Sequence, residues 1–215
     1  MQQKTYEVRY LPQARITIDG LLDEADWDRA NVERGFSFPW EEAAAPATEF
    51  RALCNSQWFY FAFHVEDEDL VVQENFQAKT DVMAEDRVEL FFAPDETLKE
   101  YFCLEVDPFG RVLDYKAAYH RQFDFSWSFP GLCVAASSTD RGYAVEGSIP
   151  LEKLDALSLQ FSQPGCKIRC GIFRAEFSHA GGSSPAEHWI SWIDPQTQDP
   201  DFHIIAAFGF LRLIE

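Results

Sequence analysis

Positive charge is scarce in this 215-residue sequence: 18 Lys and Arg stand against 36 Asp and Glu, a formal net charge of -18. A polyanion would have to bind against that field, which excludes nucleic acid as a natural partner and disfavours anionic membrane surfaces. Neutral sugars and divalent cations stay compatible. Long apolar runs are missing too. No stretch reaches the roughly 20 residues of a membrane-spanning helix, and the opening MQQKTYEVRYLPQ holds no apolar core of a secretory leader. The chain as given therefore reads as cytoplasmic, or as one whose leader has been trimmed. Cysteine is limited to Cys54, Cys103, Cys133, Cys166 and Cys170, an odd set without CxxC spacing, which argues against zinc and thioredoxin-like sites. Cys103 and Cys170 lie in apolar strand-like runs and read as buried free thiols, with one disulfide left open. Also absent are a nucleophile elbow, a phosphate loop, an HExxH motif and any long amphipathic helix.

What is abundant is apolar and aromatic surface: 47% of residues are hydrophobic, with 20 Phe and 6 Trp, enough to build a sizeable core and to exclude disorder. The length fits one domain, 1–215, with long loops. The clearest pattern is Trp58 to Val65, where Phe59, Phe61, Phe63 and Val65 alternate with Trp58, Tyr60, Ala62 and His64. A period of two excludes a helix there. Arg87 to Phe92 places Val88, Leu90 and Phe92 inward and Arg87, Glu89 and Phe91 outward; Tyr101 to Val106 repeats the scheme with Cys103 and Glu105 outward. Asp107-Pro108-Phe109-Gly110 predicts a turn into a hairpin strand from Arg111 to Tyr115. Further strands are expected at Tyr143–Ile149, Lys167–Phe177 and Phe208–Ile214. Helical turns are expected after Asp23, where Trp27 would pack inward, and at Leu151–Leu154. Ser178–Pro185 and Asp194–Asp201 read as loops. The sum predicts an all-β fold: two antiparallel sheets in a sandwich with Greek-key connections, immunoglobulin-like or jelly-roll-like, with few short helical turns.

Five segments, in order, carry a resemblance. IDGLLDEADWDRA, FAFHVEDEDL, EDRVELFFAPD, FCLEVDPFGRV and a terminal set of YAVEGSIPLEKL, ISWIDP and FGFLRLI run from Ile16 to Ile214. Their order and spacing resemble the family 9 carbohydrate-binding modules and the wider DOMON-like superfamily. The resemblance implies a non-catalytic β-sandwich that binds a plant or microbial glycan, often as accessory to a glycoside hydrolase and outside the cytoplasm. It also implies a sugar clamped between two Trp faces beside a charged strand residue. The carboxylate of that pattern falls on Glu89. The first Trp position holds Met83, the strand position expected to be basic holds Glu105, and the loop Gln196–His203 contains no Trp.

Sugar recognition needs flat apolar faces for C–H groups and a few polar groups for hydroxyls, so Trp near carboxylates is the pattern to seek. Candidate sugar-binding residues are Glu89, Glu105, Trp189, Trp192, Trp127, Trp40 and Met83. Trp189 and Ile190 have opposite parity if extended, so one of Trp189 and Trp192 is expected to face a ligand. Glu89 and Glu105 otherwise serve as solvated groups or pair with Arg87 or Arg111. No cofactor is required by this reading. Calcium is the one cation the acidic clusters at Glu66–Asp69, Asp81, Glu85 and Asp86 would suit, and the resemblance extends to calcium-binding relatives, although a solvated acidic surface is the better explanation of them. Two alternatives belong to other classes. DOMON-like relatives include cytochrome domains, which would need Met83 and one of His64, His120, His179, His188 and His203 on a heme iron. A glycoside hydrolase would need Glu89 and Glu105 as its carboxylate pair.

Overall fold

A computed structural model describes residues 4–179 and 184–215. The period-two segments become strands, twelve in all among the described residues: β1 (Thr5–Tyr10), β2 (Thr48–Cys54), β3 (Trp58–Glu66), β4 (Arg87–Ala93), β5 (Tyr101–Val106), β6 (Val112–Ala118), β7 (Gln122–Asp124), β8 (Cys133–Thr139), β9 (Gly142–Pro150), β10 (Lys167–Ser178), β11 (Ala186–Ser191) and β12 (Gly209–Ile214). One α-helix, α1 (Leu151–Ala156), and 3-10 turns at Trp27–Arg29, Lys79–Ala84 and Ile205–Ala207 complete the set. No described helix is long and apolar enough to cross a membrane. Four positions of the expected loop Ser178–Pro185, residues 180–183, lie outside the described residues.

The all-β expectation holds, but the pairing differs from two antiparallel sheets. Hydrogen bonding runs through one sheet in the order β7-β6-β5-β4-β10-β12-β1-β2-β3-β9-β8, with β11 added to β10. Two of its pairings, β1 with β12 and β1 with β2, are parallel. Parallel neighbours need a long crossover, and residues 11–47 supply it between β1 and β2. The sheet curls until its two halves face each other: Phe59 on β3 meets Phe92 on β4 edge to face, 6.1 Å between ring centroids, though four strands separate β3 from β4 in the sheet order. Phe61, Phe63, Val65, Val88, Leu90, Phe102 and Leu104 fill the space between. Each such side chain withdrawn from water contributes about 1.5–3 kcal/mol.

Most of the opposite side chains are also covered, His64 being an exposed exception. The segment from Leu11 to Ala30 covers Leu53, Tyr60 and Ala62, sealing Trp27 against the sheet. That segment is pinned by buried Glu146 on β9, which accepts hydrogen bonds from Trp27 Nε1 at 2.8 Å and from the backbone N–H of Gly20 at 2.8 Å and Asp19 at 3.2 Å. Gly20 has φ +86° and its Cα lies against the backbone of Ala136, so this turn has no room for a side chain. Two of the family-like segments, IDGLLDEADW and YAVEG, thus meet in a structural bond. A second outer layer covers β4, β5, β6 and β10, where Phe91, Cys103, Leu113 and Phe173 pack under Phe202 and Phe208. All five cysteines are free thiols, with Cys54, Cys103 and Cys170 buried.

Candidate functional site

The second outer layer is incomplete, and its gap is a cavity of about 260 Å³. Its floor comes from β4 and β5, where antiparallel register sets Glu89 directly opposite Glu105. Glu105 was expected to point outward into water, as was Glu89; instead they are 4% and 2% exposed. Parity placed them on the correct face, and the loop at Pro200–His203 together with the β6–β7 hairpin covers that face. The guanidinium of Arg87 sits between them, its Nε 2.6 Å from Glu105 Oε2 and 3.0 Å from Glu89 Oε1. Tyr115 on β6 donates to Glu105 Oε1 at 2.7 Å, so both Glu105 oxygens are engaged. Glu89 Oε1 is buried without a hydrogen bond; its contact with Arg87 is ionic only. Burial, reinforced by the Glu105 charge, pushes the Glu89 carboxyl up to about 8 against the pull of Arg87. Burial likewise raises the Tyr115 phenol.

Aromatic rings wall the cavity. Trp189 on β11 stands half-buried with the Arg87 guanidinium 5.6 Å from its ring, and meets Phe202 edge to face at 5.8 Å. Phe202 in turn stacks flat on Phe173 at 4.0 Å. Phe123 and Phe125 bracket Tyr115 at 5.3 Å and 5.2 Å. Met83 lies at the mouth, 46% exposed, while its carbonyl accepts from Arg87 Nη1 at 3.1 Å. Arg121 and Asp201 pair at the rim at 3.0 Å. His203 holds a ring nitrogen 3.0 Å from the Tyr101 hydroxyl, and burial drives its basicity down to about 3.

Of the seven residues proposed from sequence, Glu89, Glu105, Trp189 and Met83 line this cavity. The other three do not. Trp192 is buried on the inner face with Nε1 on Glu33 at 2.9 Å and the Lys4 ammonium 5.3 Å from its ring, because it lies beyond the end of β11 and turns into the main core. Trp127 packs on Phe102 and Phe129, at 5.2 Å and 4.8 Å, also against the main core. Trp40 donates to the Thr197 carbonyl at 3.1 Å and backs Phe202 at 5.7 Å, one layer behind the wall. Arg87 is here the structural hub, whereas Arg111, the other suggested partner, pairs with Glu85 at 2.9 Å and with Asp107. Tyr115, Phe123, Phe125 and Phe202 were not among the candidates, and His203 was one only for the heme reading; Phe202 and His203 lie at the end of the DPQTQDPD loop, where two ring-bearing residues are the signal.

The acidic residues divide. Asp81 accepts backbone N–H groups of Gln77 and Ala78 at 2.6 Å and 2.9 Å, closing the turn before Lys79. Asp69 binds His179, and buried Glu85 accepts from Gln73 N at 2.9 Å. Among the described residues, Asp67, Asp86 and Glu176 are the one group of three whose carboxylate oxygens lie within 4.8 Å of one another. They do not suit calcium well. Asp86 spends its oxygens on Val71 N and Phe177 N, at 2.5 Å and 2.6 Å, and buried Arg174 supplies the cation to Asp67 at 3.2 Å and to Glu176. The hydrolase pairing of Glu89 with Glu105 meets a similar obstacle, since Glu105 has no free oxygen to act as nucleophile or base. For the heme reading, His203 is the sole histidine beside Met83 in the cavity, and its ring lies stacked on Phe91 at 5.1 Å with one nitrogen given to Tyr101.

The domain is thus a curled β-sheet carrying a cavity with aromatic walls and a carboxylate floor, groups chemically suited to a small polar ligand. The chain belongs to the family described as carbohydrate family 9 binding domain-like, whose profile matches residues 18–215. Among solved structures, a protein of Bacteroides uniformis ATCC 8492 to which carbohydrate binding has been ascribed superposes with a TM-score of 0.71 at 16% identity, covering 99% of this chain and 100% of that one. A family 9 carbohydrate-binding module from Caldicellulosiruptor kristjanssonii, solved with glucose, gives 0.64 at 16% identity over 98% of this chain and 95% of that one. A structure from the same organism with cellotriose gives 0.63 at 17% identity, covering 98% and 94%. No curated protein matches the sequence.

Proposed function

We propose that this chain is a non-catalytic carbohydrate-binding domain that recognises a plant or microbial glycan, serving carbohydrate catabolism as accessory to a glycoside hydrolase. The observation that carries the reading is the placement of Trp189 beside the paired Glu89 and Glu105 in one cavity. In it, the Trp189 face takes the axial C–H groups of a sugar ring while Glu89 and the rim groups Arg121 and Asp201 pair with its hydroxyls. At about 260 Å³ the cavity falls just below the ~300–1,000 Å³ usual for small-molecule sites, which suits a sugar ring at a chain end better than the middle of a long chain. A glycan array followed by calorimetry on the best ligand tests the reading, with Trp189→Ala as the control. Binding that Trp189→Ala abolishes supports it, and a blank array overturns it.

A further inference from the structure

The floor of the cavity is one positive charge short. Glu89 and Glu105 are two buried carboxylates facing each other across neighbouring strands, and Arg87 is the single guanidinium between them. Arg87 cannot satisfy both. Its Nε donates to Glu105, and its Nη1 is drawn to the carbonyls of Met83 at 3.1 Å and Glu85 at 3.2 Å. Glu89 Oε1 is left buried with no hydrogen bond. Among the described residues no other cation facing the cavity makes up the difference: Arg121 is matched by Asp201, which also holds His120 at 3.0 Å, and His203 is held neutral by burial. The remaining groups around Glu89 are the Tyr115 phenol and the Cys103 thiol, both raised by burial and so uncharged.

We propose that this cavity prefers an amino sugar, placing its ammonium on Glu89, over the neutral sugar of the same shape. The proposal rests on the carbohydrate reading and names the ligand class within it. An ammonium supplies the donor and the charge that Glu89 lacks, and the faces of Trp189 and Phe202 around it also favour a cation. The net charge of -18 draws cations toward the whole surface. Without such a ligand, Glu89 answers its burial by holding a proton. Binding then exchanges one cation for another: the Glu89 O–H bond breaks, its proton leaves to solvent, and the carboxylate formed accepts N–H from the bound ammonium.

Calorimetry at neutral pH with glucose, glucosamine and N-acetylglucosamine, and with galactose and galactosamine, reads the preference directly. The amino sugar is expected to bind roughly tenfold more tightly than its neutral counterpart, the margin of a charge-assisted over a neutral hydrogen bond. Acetylation, which removes the charge, should abolish the gain. Repeating the titration in two buffers of different ionisation heat should show proton release with glucosamine and none with glucose. In Glu89→Gln the ratio of amino-sugar to neutral-sugar affinity should fall to about one, whatever the change in absolute affinity; if the variant keeps the preference, Glu89 is not its source. Equal binding of amino and neutral sugars by the wild-type chain overturns the proposal and leaves the carbohydrate reading standing. No binding of any of these sugars, with a blank glycan array, overturns both.

Discussion

Arg87-Val88-Glu89 on β4 and Arg174-Ala175-Glu176 on β10 repeat one arrangement on neighbouring strands, yet the register that pairs Arg174 with Val88 turns them to opposite faces of the sheet. On the inner side Arg174 meets Asp67, Glu176, Thr48 Oγ1 and the Glu66 carbonyl, and Asp86 nearby is filled by two backbone N–H groups. On the outer side Arg87 meets two carboxylates, one of which keeps an oxygen without a hydrogen bond beside a cavity. Both sides leave one buried atom without a hydrogen bond, but it is a nitrogen of the guanidinium, Arg174 Nε, on the inner side and a carboxylate oxygen, Glu89 Oε1, on the outer side. The difference between the two sides is therefore which group is left over and whether a cavity lies beside it, not how many acids are clustered.

The sharpest way to break the comparison is to remove the cation on the inner side. Arg174→Met leaves Asp67 and Glu176 buried without their counter-charge and should destabilise the fold by about 3–5 kcal/mol in urea unfolding at pH 7. A loss below about 1 kcal/mol would mean that the inner acids do not depend on Arg174. Second in size is the outer side's dependence on its wall: Trp189→Ala should weaken glycan binding by about 2 kcal/mol or more in calorimetry while leaving the unfolding transition nearly in place. A variant that binds as wild type removes Trp189 from the site.

A smaller effect concerns pH. Because Glu89 in the folded chain titrates near 8, far above the usual carboxylate value, the folded state holds a proton that the unfolded chain has released. Its contribution to stability is complete below the unfolded value and is lost as pH rises through about 8. Glu85 near 8 and Asp86 and Glu176 near 7 act in the same direction, burial being the first cause for each. Urea unfolding at pH 5.5 and pH 8.5 should therefore show a decline in stability that Glu89→Gln reduces by an amount of order 1 kcal/mol. An unchanged decline would show that Glu89 carries no proton. The least effect is expected from metal: with Arg174 already among the acids, calcium or a chelator should move the melting temperature by no more than about a degree. A larger stabilisation by calcium would show that the inner cluster is a metal site after all.

Much of this arrangement was legible from period and parity. The alternation in Trp58–Val65, Arg87–Phe92 and Tyr101–Val106 follows because one side of each strand must fill the main core; it points Glu89 and Glu105 outward, and the pairing of β4 with β5 puts them on one face. Parity could not tell that this face is roofed. Whether an outward side chain meets water depends on where distant loops fall, and Phe202 is over a hundred residues from Glu89 in the chain. The indoles failed for the same reason: Trp127 lies in turn-like sequence and Trp192 directly after β11, but each ring turns inward to a core that local sequence does not describe. β1 shows Tyr6 and Val8 alternating with Glu7 and Arg9, but nothing in so short a run announces a strand held by parallel pairings. β8, whose CVAASST run is small and polar, gives almost no apolar signal because it lies at a half-exposed edge.

The position of β1 between β12 and β2 makes the earliest strand of the fold the neighbour of its last. During synthesis β1 can find β2 soon after emerging, but its other edge stays open until nearly the whole sheet has been made. Until β12 arrives, β1 and β10 both expose unpaired backbone that another chain could capture, so the seam is where assembly is slowest and misjoining easiest. Loss of β12 alone should therefore turn this chain toward aggregates rather than toward a slightly weaker monomer.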